Sequence, residues 1–288
     1  MGLRVLRGCH FSFSMKRMTK TGVRRKIGLA RVLSKLGYCS RSHAAELVRA
    51  GRVSVNGKIS RDPERPVLEK RDQVAVDSEA IQERGKIYLM MNKPRGVVTT
   101  AADEKGRPTV YTVLNQGLLN HGPLNQGQMA EKAEPGSDRA WIAPVGRLDQ
   151  GSEGLLLMTN DSEWGARITA PETHLEKTYH VQIGTVADEK LVQELMSGVT
   201  TKAGEVLSAK RVRDLRAGQK NCWLEIVLDE GKNRQIRRMM EALGVEVLRL
   251  VRVAIGPLQL GDLAKGAHRA LTADEKRRLD VVMRGETR

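Results

Sequence analysis

Gly146-Arg147-Leu148-Asp149-Gln150-Gly151-Ser152-Glu153-Gly154-Leu155-Leu156-Leu157-Met158-Thr159-Asn160-Asp161 is the stretch on which the reading of this chain turns. It opens as a turn carrying an Arg and an Asp. Gly154 then introduces three leucines and a methionine, an apolar run of strand length bounded by turn residues. Thr159-Asn160-Asp161 reads as the polar start of a helix. A carboxylate at the edge of a buried strand, two residues after an arginine, has a physical reason to stay ionised. Taken alone, Asp149 reads first as a turn former in a solvated pair with Arg147.

Outward from this strand, the pattern divides the chain. Ile27, Ala30, Leu33 and Leu36 make a helical stripe that stops at Gly37. Ser40 is placed to cap a second helix, with Ala44, Leu47 and Val48 inward and Gly51 at its end. Val53 and Val55 alternate with polar residues into Asn56-Gly57, a tight-turn signal, and Gln73 to Val76 is a further extended piece. Residues 26–77 are thus a small unit of two helices and a sheet, edged by Lys35, Arg41, Arg49 and Arg52. Residues 78–86 are polar and read as a linker, and residues 87–288 as a second domain. There Ile87 to Met91 is a central strand, and Tyr179, Val181 and Ile183 share a strand face. Leu191, Val192 and Leu195 lie on a helix ending at Gly198, and Leu224, Ile226 and Leu228 on another strand. Ile236, Met239, Met240 and Leu243 mark a helix closed by Gly244. Val245, Val247, Val251, Val253 and Ile255 are expected on one strand face, with Arg249 its only polar member. Helices and long strands that do not strictly alternate predict an α+β fold built on a mainly antiparallel sheet. Residues 114–140 repeat Leu-Asn-Gln-Gly and hold few apolar residues, so they are expected to be a flexible insertion without a core.

Charge points to the partner. The chain has 288 residues and a formal charge of +15. Residues 1–45 hold eleven Lys or Arg and no acid, and the remainder has thirty-eight basic against thirty-four acidic residues. A basic arm is an electrostatic footprint of phosphate binding, although residues 1–25 read equally as a disordered leader, a mis-started segment or a transit peptide. No apolar run approaches the roughly 18 residues a membrane span needs, so no membrane is expected. Three isolated cysteines, Cys9, Cys39 and Cys222, suit a reducing cytoplasm. Neither they nor the six histidines show metal-ligand spacing, so neither metal nor cofactor is expected.

Three further segments stand in order around the opening stretch: Asn92-Lys93-Pro94-Arg95-Gly96, Glu176-Lys177-Thr178-Tyr179-His180-Val181 and Gly231-Lys232-Asn233-Arg234-Gln235-Ile236-Arg237-Arg238-Met239. Together the four resemble the motifs of the bacterial ribosomal RNA pseudouridine synthases of the Rsu type. Residues 26–77 resemble the S-four RNA-binding domain of the same group. The resemblance implies a small α/β RNA-binding domain followed by a pseudouridine synthase domain. It also implies an isomerase that detaches uracil from ribose at N1, rotates it and rejoins it through C5. That chemistry needs a carboxylate at the ribose–base junction, as nucleophile or as electrostatic partner and base, and a base taken out of its stack.

By resemblance Asp149 is that carboxylate, Tyr179 stacks on the uracil, and Arg237 pairs with Asp149 to hold it ionised and oriented. Leu250 lines the uracil pocket. Arg147, Lys93, Arg95, Lys232, Arg234 and Arg238 are expected to contact RNA. Without the resemblance, Tyr179 and Leu250 are core residues and the basic ones are solvated. Ser162-Glu163-Trp164 departs from the group's usual Gly-containing start, which bears on substrate choice. The basic turn at 232–238 resembles large-subunit members, whereas Glu163-Trp164, Ile168-Thr169 and Glu176-Lys177-Thr178-Tyr179 resemble the small-subunit enzyme. The expected substrate is a uridine of large-subunit (23S) ribosomal RNA, met on the RNA or on an assembly intermediate by a monomeric enzyme. The alternatives are a small-subunit (16S) uridine, a non-catalytic ribosome-assembly factor, and a glycosidase using Asp149 with Glu153. The 3% aromatic content disfavours the sugar cleft that the last of these would need.

Overall fold

The computed structural model describes residues 26–285 apart from 70, 101–102, 104 and 121–140; the basic arm at 1–25 lies outside the described residues. The chain begins with β1 (Ile27–Gly28), α1 (Leu29–Lys35) and α2 (Arg41–Arg49). Ile27 pairs with Val67 instead of opening the helix, because α1 starts only after this two-residue strand. Gly37 turns the chain at φ +76°, and Ser40 Oγ accepts the His43 amide at 3.2 Å, capping α2. Then come β2 (Val53–Val55), β3 (Lys58–Ser60), β4 (Pro66–Val67), β5 (Val74–Val76) and β6 (Glu79–Ala80). Asn56 and Gly57 both have positive φ, which matches the twist of the β2–β3 hairpin. The four-stranded sheet runs β3-β2-β5-β6 over a core that includes Leu29, Leu33, Leu47 and Val53. The polar stretch read as a linker therefore opens with a strand. Both β6 side chains are exposed, so the strand leaves no apolar alternation to read. Of the basic edge, Arg41 and Arg49 are exposed, whereas Lys35 and Arg52 form ion pairs with Glu69 and Asp77.

The remainder supplies β7 (Tyr88–Lys93), α3 (Val110–Asn120), β8 (Ala143–Val145), β9 (Glu153–Thr159), α4 (Ser162–Thr169), β10 (Lys177–Ile183) and α5 (Glu189–Ser197). It continues with β11 (Val199–Thr200), β12 (Val206–Leu207), β13 (Arg211–Ala217), β14 (Cys222–Leu228) and α6 (Gln235–Ala242). The last elements are β15 (Val247–Ile255), β16 (Leu258–Gln259), β17 (His268–Ala270) and α7 (Ala273–Met283). The main sheet has the order β13-β14-β10-β15-β9-β7-β17, with β8 beside β9 and β16 beside β15. Its pairs are antiparallel except where β9 meets β15 in parallel, with Glu153 opposite Val251 and Gly154 opposite Arg252. Gly154 is demanded there. Its φ is +100°, and a Cβ would come within 2.3 Å of the Arg252 carbonyl oxygen.

Alternation along the strands gives the sheet two faces. On the front, Leu89, Met91, Leu156 and Met158 meet Val110, Tyr111 and Leu114 of α3, while Val181, Leu224 and Ile226 meet α5 and α6. Tyr179 touches both front clusters. On the back, Met90, Leu155 and Leu157 meet Trp164 and Ile168 of α4 and Leu279 of α7. Complete burial of each such aliphatic side chain contributes about 1.5–3 kcal/mol.

Two expectations fail here. Residues 114–120 of the expected insertion continue α3, and Leu114 is fully buried. The stripe that holds this helix begins upstream at Val110 and Tyr111, so composition inside 114–140 hid it; residues 121–140 lie outside the described residues. The single valine face of β15 is also broken. Leu248 and Val253 drop out of the pairing with β10, and each such bulge reverses the alternation. Val247 therefore packs on the core with Leu250, away from the face of Val251.

Candidate active site

The turn between β8 and β9 is held by its carbonyls. Each of the five from Leu148 to Ser152 accepts a hydrogen bond. Thr99 Oγ1 donates to Leu148 O at 2.7 Å and accepts the Leu148 amide at 3.3 Å. Lys93 Nζ donates to Asp149 O (3.1 Å) and Ser152 O (2.8 Å), and also to Pro94 O (3.1 Å). The Gly96 amide donates to Gln150 O at 2.8 Å, and the Gln150 side chain returns a bond to Gly96 O. Arg237 Nη2 donates to Gly151 O at 2.9 Å. Backbone so over-determined fixes the direction in which the Asp149 side chain leaves it.

Lys93 is thus no RNA contact. It is 0% exposed, and burial pushes its ammonium down to about 8, against the opposing pull of Asp149 and Glu153. A strand that ends in Lys-Pro looks like a surface turn in sequence; the acceptors that draw the ammonium inward are backbone oxygens almost sixty positions away.

The Asp149 carboxylate is partly exposed and lies 3.6 Å from Arg234 Nη1. The expected Arg237–Asp149 pair is accordingly replaced. Arg234 stands at the start of α6 in left-handed backbone, φ +50°, which throws its side chain toward the carboxylate, while Arg237 one turn later reaches the Gly151 carbonyl. Burial, then the charge of Arg234, hold Arg237 below its usual pKa, with Asp149 opposing and Arg95 adding to the effect. Arg147, Gln150, Thr99, Arg107 and Arg234 line an open depression of about 450 Å³ around Asp149, a size that suits a nucleoside. Arg107 at its mouth holds the Asp103 carboxyl at about 2.

Tyr179 is half-buried on the front face, opposite Ile226 on one side and Arg252 on the other. Leu250, next along the strand on that face, is almost fully buried in the core cluster. Two expected RNA contacts are engaged within the protein: Lys232 pairs with Glu230 and Glu205, and Arg238 with Glu205 at 2.6 Å. Arg95 is exposed and reaches the Leu248 carbonyl at 3.3 Å. Glu163 and Trp164 have structural duties on the other side of the sheet. Glu163 pairs with Arg31 and Lys35 of α1, and Trp164 is buried, its indole N–H on Asp280 at 2.9 Å.

Sequence reading missed two residues of the site. Thr99 lies in a polar loop with no signal of its own. Arg252 is buried, donates to Leu155 O at 2.7 Å, and leaves Nη2 without a hydrogen-bond partner. A cation on an otherwise apolar strand face was the available cue. The glycosidase alternative loses its second carboxylate. Glu153 points to the back of the sheet, away from Asp149. Burial raises its pKa, but Arg249 (3.1 Å) and Lys265 (2.6 Å) more than offset this and keep it ionised. Among the described residues no cluster of His, Cys, Asp and Glu could hold a metal ion, and no helix is long and apolar enough to cross a membrane.

Comparison with known proteins adds a family context. The family model described as RNA pseudouridylate synthase matches residues 87–242, and the S4 domain model matches residues 27–74. The chain is 32% identical over 255 residues to the ribosomal large subunit pseudouridine synthase B of Bacillus subtilis (strain 168), covering 88% of this chain and 96% of the relative. It is 33% identical over 237 residues to the protein of that name from Escherichia coli O6:H1, covering 81% and 74%. A solved structure titled as a pseudouridylate synthase superposes with a TM-score of 0.57 at 26% identity, covering 88% of this chain and 99% of that one.

Proposed function

The chain belongs to the RNA pseudouridylate synthase family, and from that premise we propose that it converts one uridine of large-subunit (23S) ribosomal RNA to pseudouridine. The supporting observation is the Asp149 turn, whose five carbonyls are all held while its carboxylate faces an open, basic, nucleoside-sized depression. The relatives named for the large subunit support that choice of RNA. Glu163 and Trp164, which had favoured the small subunit, serve domain contact and core packing on the back of the sheet.

In this reading Arg147 and Arg234 draw in the backbone of a flipped-out uridine, and Arg234 keeps the Asp149 carboxylate oriented. Asp149 acts at C1′ as the N1–C1′ bond breaks. The uracil turns against Tyr179, C5 bonds to C1′, the C5 proton leaves and N1 gains one. The product is an isomer of the substrate, so no redox partner or co-substrate enters the balance. Arg237 acts through Gly151 as a positioning residue, and Leu250 supports Tyr179 from the core. The exposed Arg41 and Arg49 of the S4 domain add sequence-independent affinity for phosphate. The enzyme works as a monomer in the cytoplasm, where ribosomal RNA is made.

Mapping pseudouridine in both ribosomal RNAs, with and without the protein, tests the proposal. One site lost from the large-subunit RNA is expected. A loss confined to the small-subunit RNA overturns the choice of subunit, and no loss in either overturns the activity.

A further inference from the structure

The back of the main sheet is covered by α4 and α7 under β7, β8, β9 and the Ile255 end of β15, but over β10, β13, β14 and the rest of β15 the described helices pack on the front. Back-facing side chains there stay open: Arg213 is 62% exposed and Arg249 42%, and Lys265, reaching in from the loop before β17, is 55% exposed. Register sets them in rows. One row runs Arg216, Trp223, Gln182, Arg249, and the next runs Arg213, Glu225, His180, Val251. Trp223 has the Arg216 guanidinium 5.3 Å and the Arg249 guanidinium 5.5 Å from its ring centre, within cation–π range.

Charge on this face is in surplus. Glu225 is matched by Arg213 at 2.7 Å and His180 at 3.6 Å, and Glu153 by Arg249 and Lys265. Arg211, in register with Val227 and on the same side, and Arg216 have no ion pair among the described residues. Flat rings and guanidinium planes stack on unpaired bases, while arginine N–H groups meet phosphates. A protein partner would ask for aliphatic anchors, and half-buried Val251 is the one aliphatic side chain in these two rows.

We propose that this bare half of the sheet's back face binds a single-stranded segment of RNA outside the segment that carries the target uridine. The proposal rests on the RNA-modifying reading above. The two surfaces lie on opposite faces of one sheet, so a short hairpin seated at Asp149 does not reach the second, whereas a long ribosomal RNA does.

The test compares wild-type protein with the R211Q/R216Q double variant, neither residue belonging to the active site. The probes are a full-length large-subunit ribosomal RNA transcript and a short hairpin carrying only the mapped uridine. Affinity is measured across a salt series. On the long transcript the variant is expected to lower the slope of log K against log salt by about 1.4, two phosphate contacts at roughly 0.7 each for single strands. Thermal melting, hairpin affinity and hairpin turnover are expected to be unchanged. An unchanged slope on the long transcript overturns the proposal, as does an equal fall on the hairpin. Weakened binding to ribosomal particles with unchanged binding to naked RNA assigns the face to a protein, and overturns it too. Wild-type protein that modifies neither RNA defeats the activity while leaving this comparison of slopes intact.

Discussion

The Lys93 ammonium lies 3.1 Å from the backbone carbonyl of Asp149 and makes the same kind of bond to Ser152, two residues on. One buried cation thus spans the turn that carries the carboxylate. It does so from β7, a strand paired on both sides, by β9 and β17, so the turn inherits its position from the sheet.

Lys93→Met removes three donors but also removes a charge that burial disfavours. Unsatisfied carbonyls cost about 1–3 kcal/mol each, and the relief of a desolvated cation is of like size. The two oppose, so the melting temperature is expected to move by only a few degrees while turnover falls about 10²-fold or more through misplacement of the carboxylate. Paired melting and pseudouridine assays check this, and retained turnover counts against a positioning role.

The same residue predicts a pH signature. Its folded pKa of about 8 lies below the ordinary value of 10.5, so between these values the unfolded chain binds more protons and stability rises with pH. The gain is absent below about pH 8 and complete above about 10.5. Wild type is therefore expected to gain stability relative to Lys93→Met across that window in denaturant titrations. Parallel curves for the two proteins would falsify the assignment.

Asp149→Asn keeps the shape of the side chain and removes its charge. The pair with Arg234 is long and partly exposed, so less than about 1 kcal/mol of stability is at stake. Pseudouridine formation is expected to vanish with RNA affinity and melting unchanged. Substantial residual activity would remove Asp149 from the chemistry.

Gly154→Ala sets a methyl group against the Arg252 carbonyl and forces an unfavourable backbone angle. Destabilisation of about 3 kcal/mol or more is expected, read by urea unfolding. A near-neutral effect would mean that β9 and β15 separate without cost.

Deletion of residues 26–77 is expected to weaken RNA binding and flatten its salt dependence, because Arg41 and Arg49 go with it. Binding measured over a salt series checks this, and an unaltered slope argues that phosphate is met elsewhere.

Much of the architecture was legible because local chemistry and tertiary structure agree. Gly37, Ser40, Asn56-Gly57, Gly198 and Gly244 stop or cap elements where the apolar pattern ends. What escaped depends on pairing between distant segments. Neither bulge in β15 changes the composition of that strand, and β6 pairs with β5 while both its side chains stay exposed. In the site, Asp149 and Tyr179 were readable as a turn carboxylate and a strand aromatic. The partner of Asp149 was misassigned because Arg234 and Arg237 are three residues apart on one basic turn, and backbone angle decides which of them faces the carboxylate.

The parallel seam between β9 and β15 has a kinetic consequence. Asp149 precedes β9, whereas Tyr179, Arg234 and Arg237 belong to the other half of the sheet, and the seam strands lie roughly a hundred residues apart in sequence, a separation whose closure is slow. A nascent or partly opened chain carries the two sets of groups on separate halves. Completion of the seam and assembly of the site are therefore one folding event, and amide exchange protection at Leu155 and Arg252 should rise in step with the onset of activity during refolding.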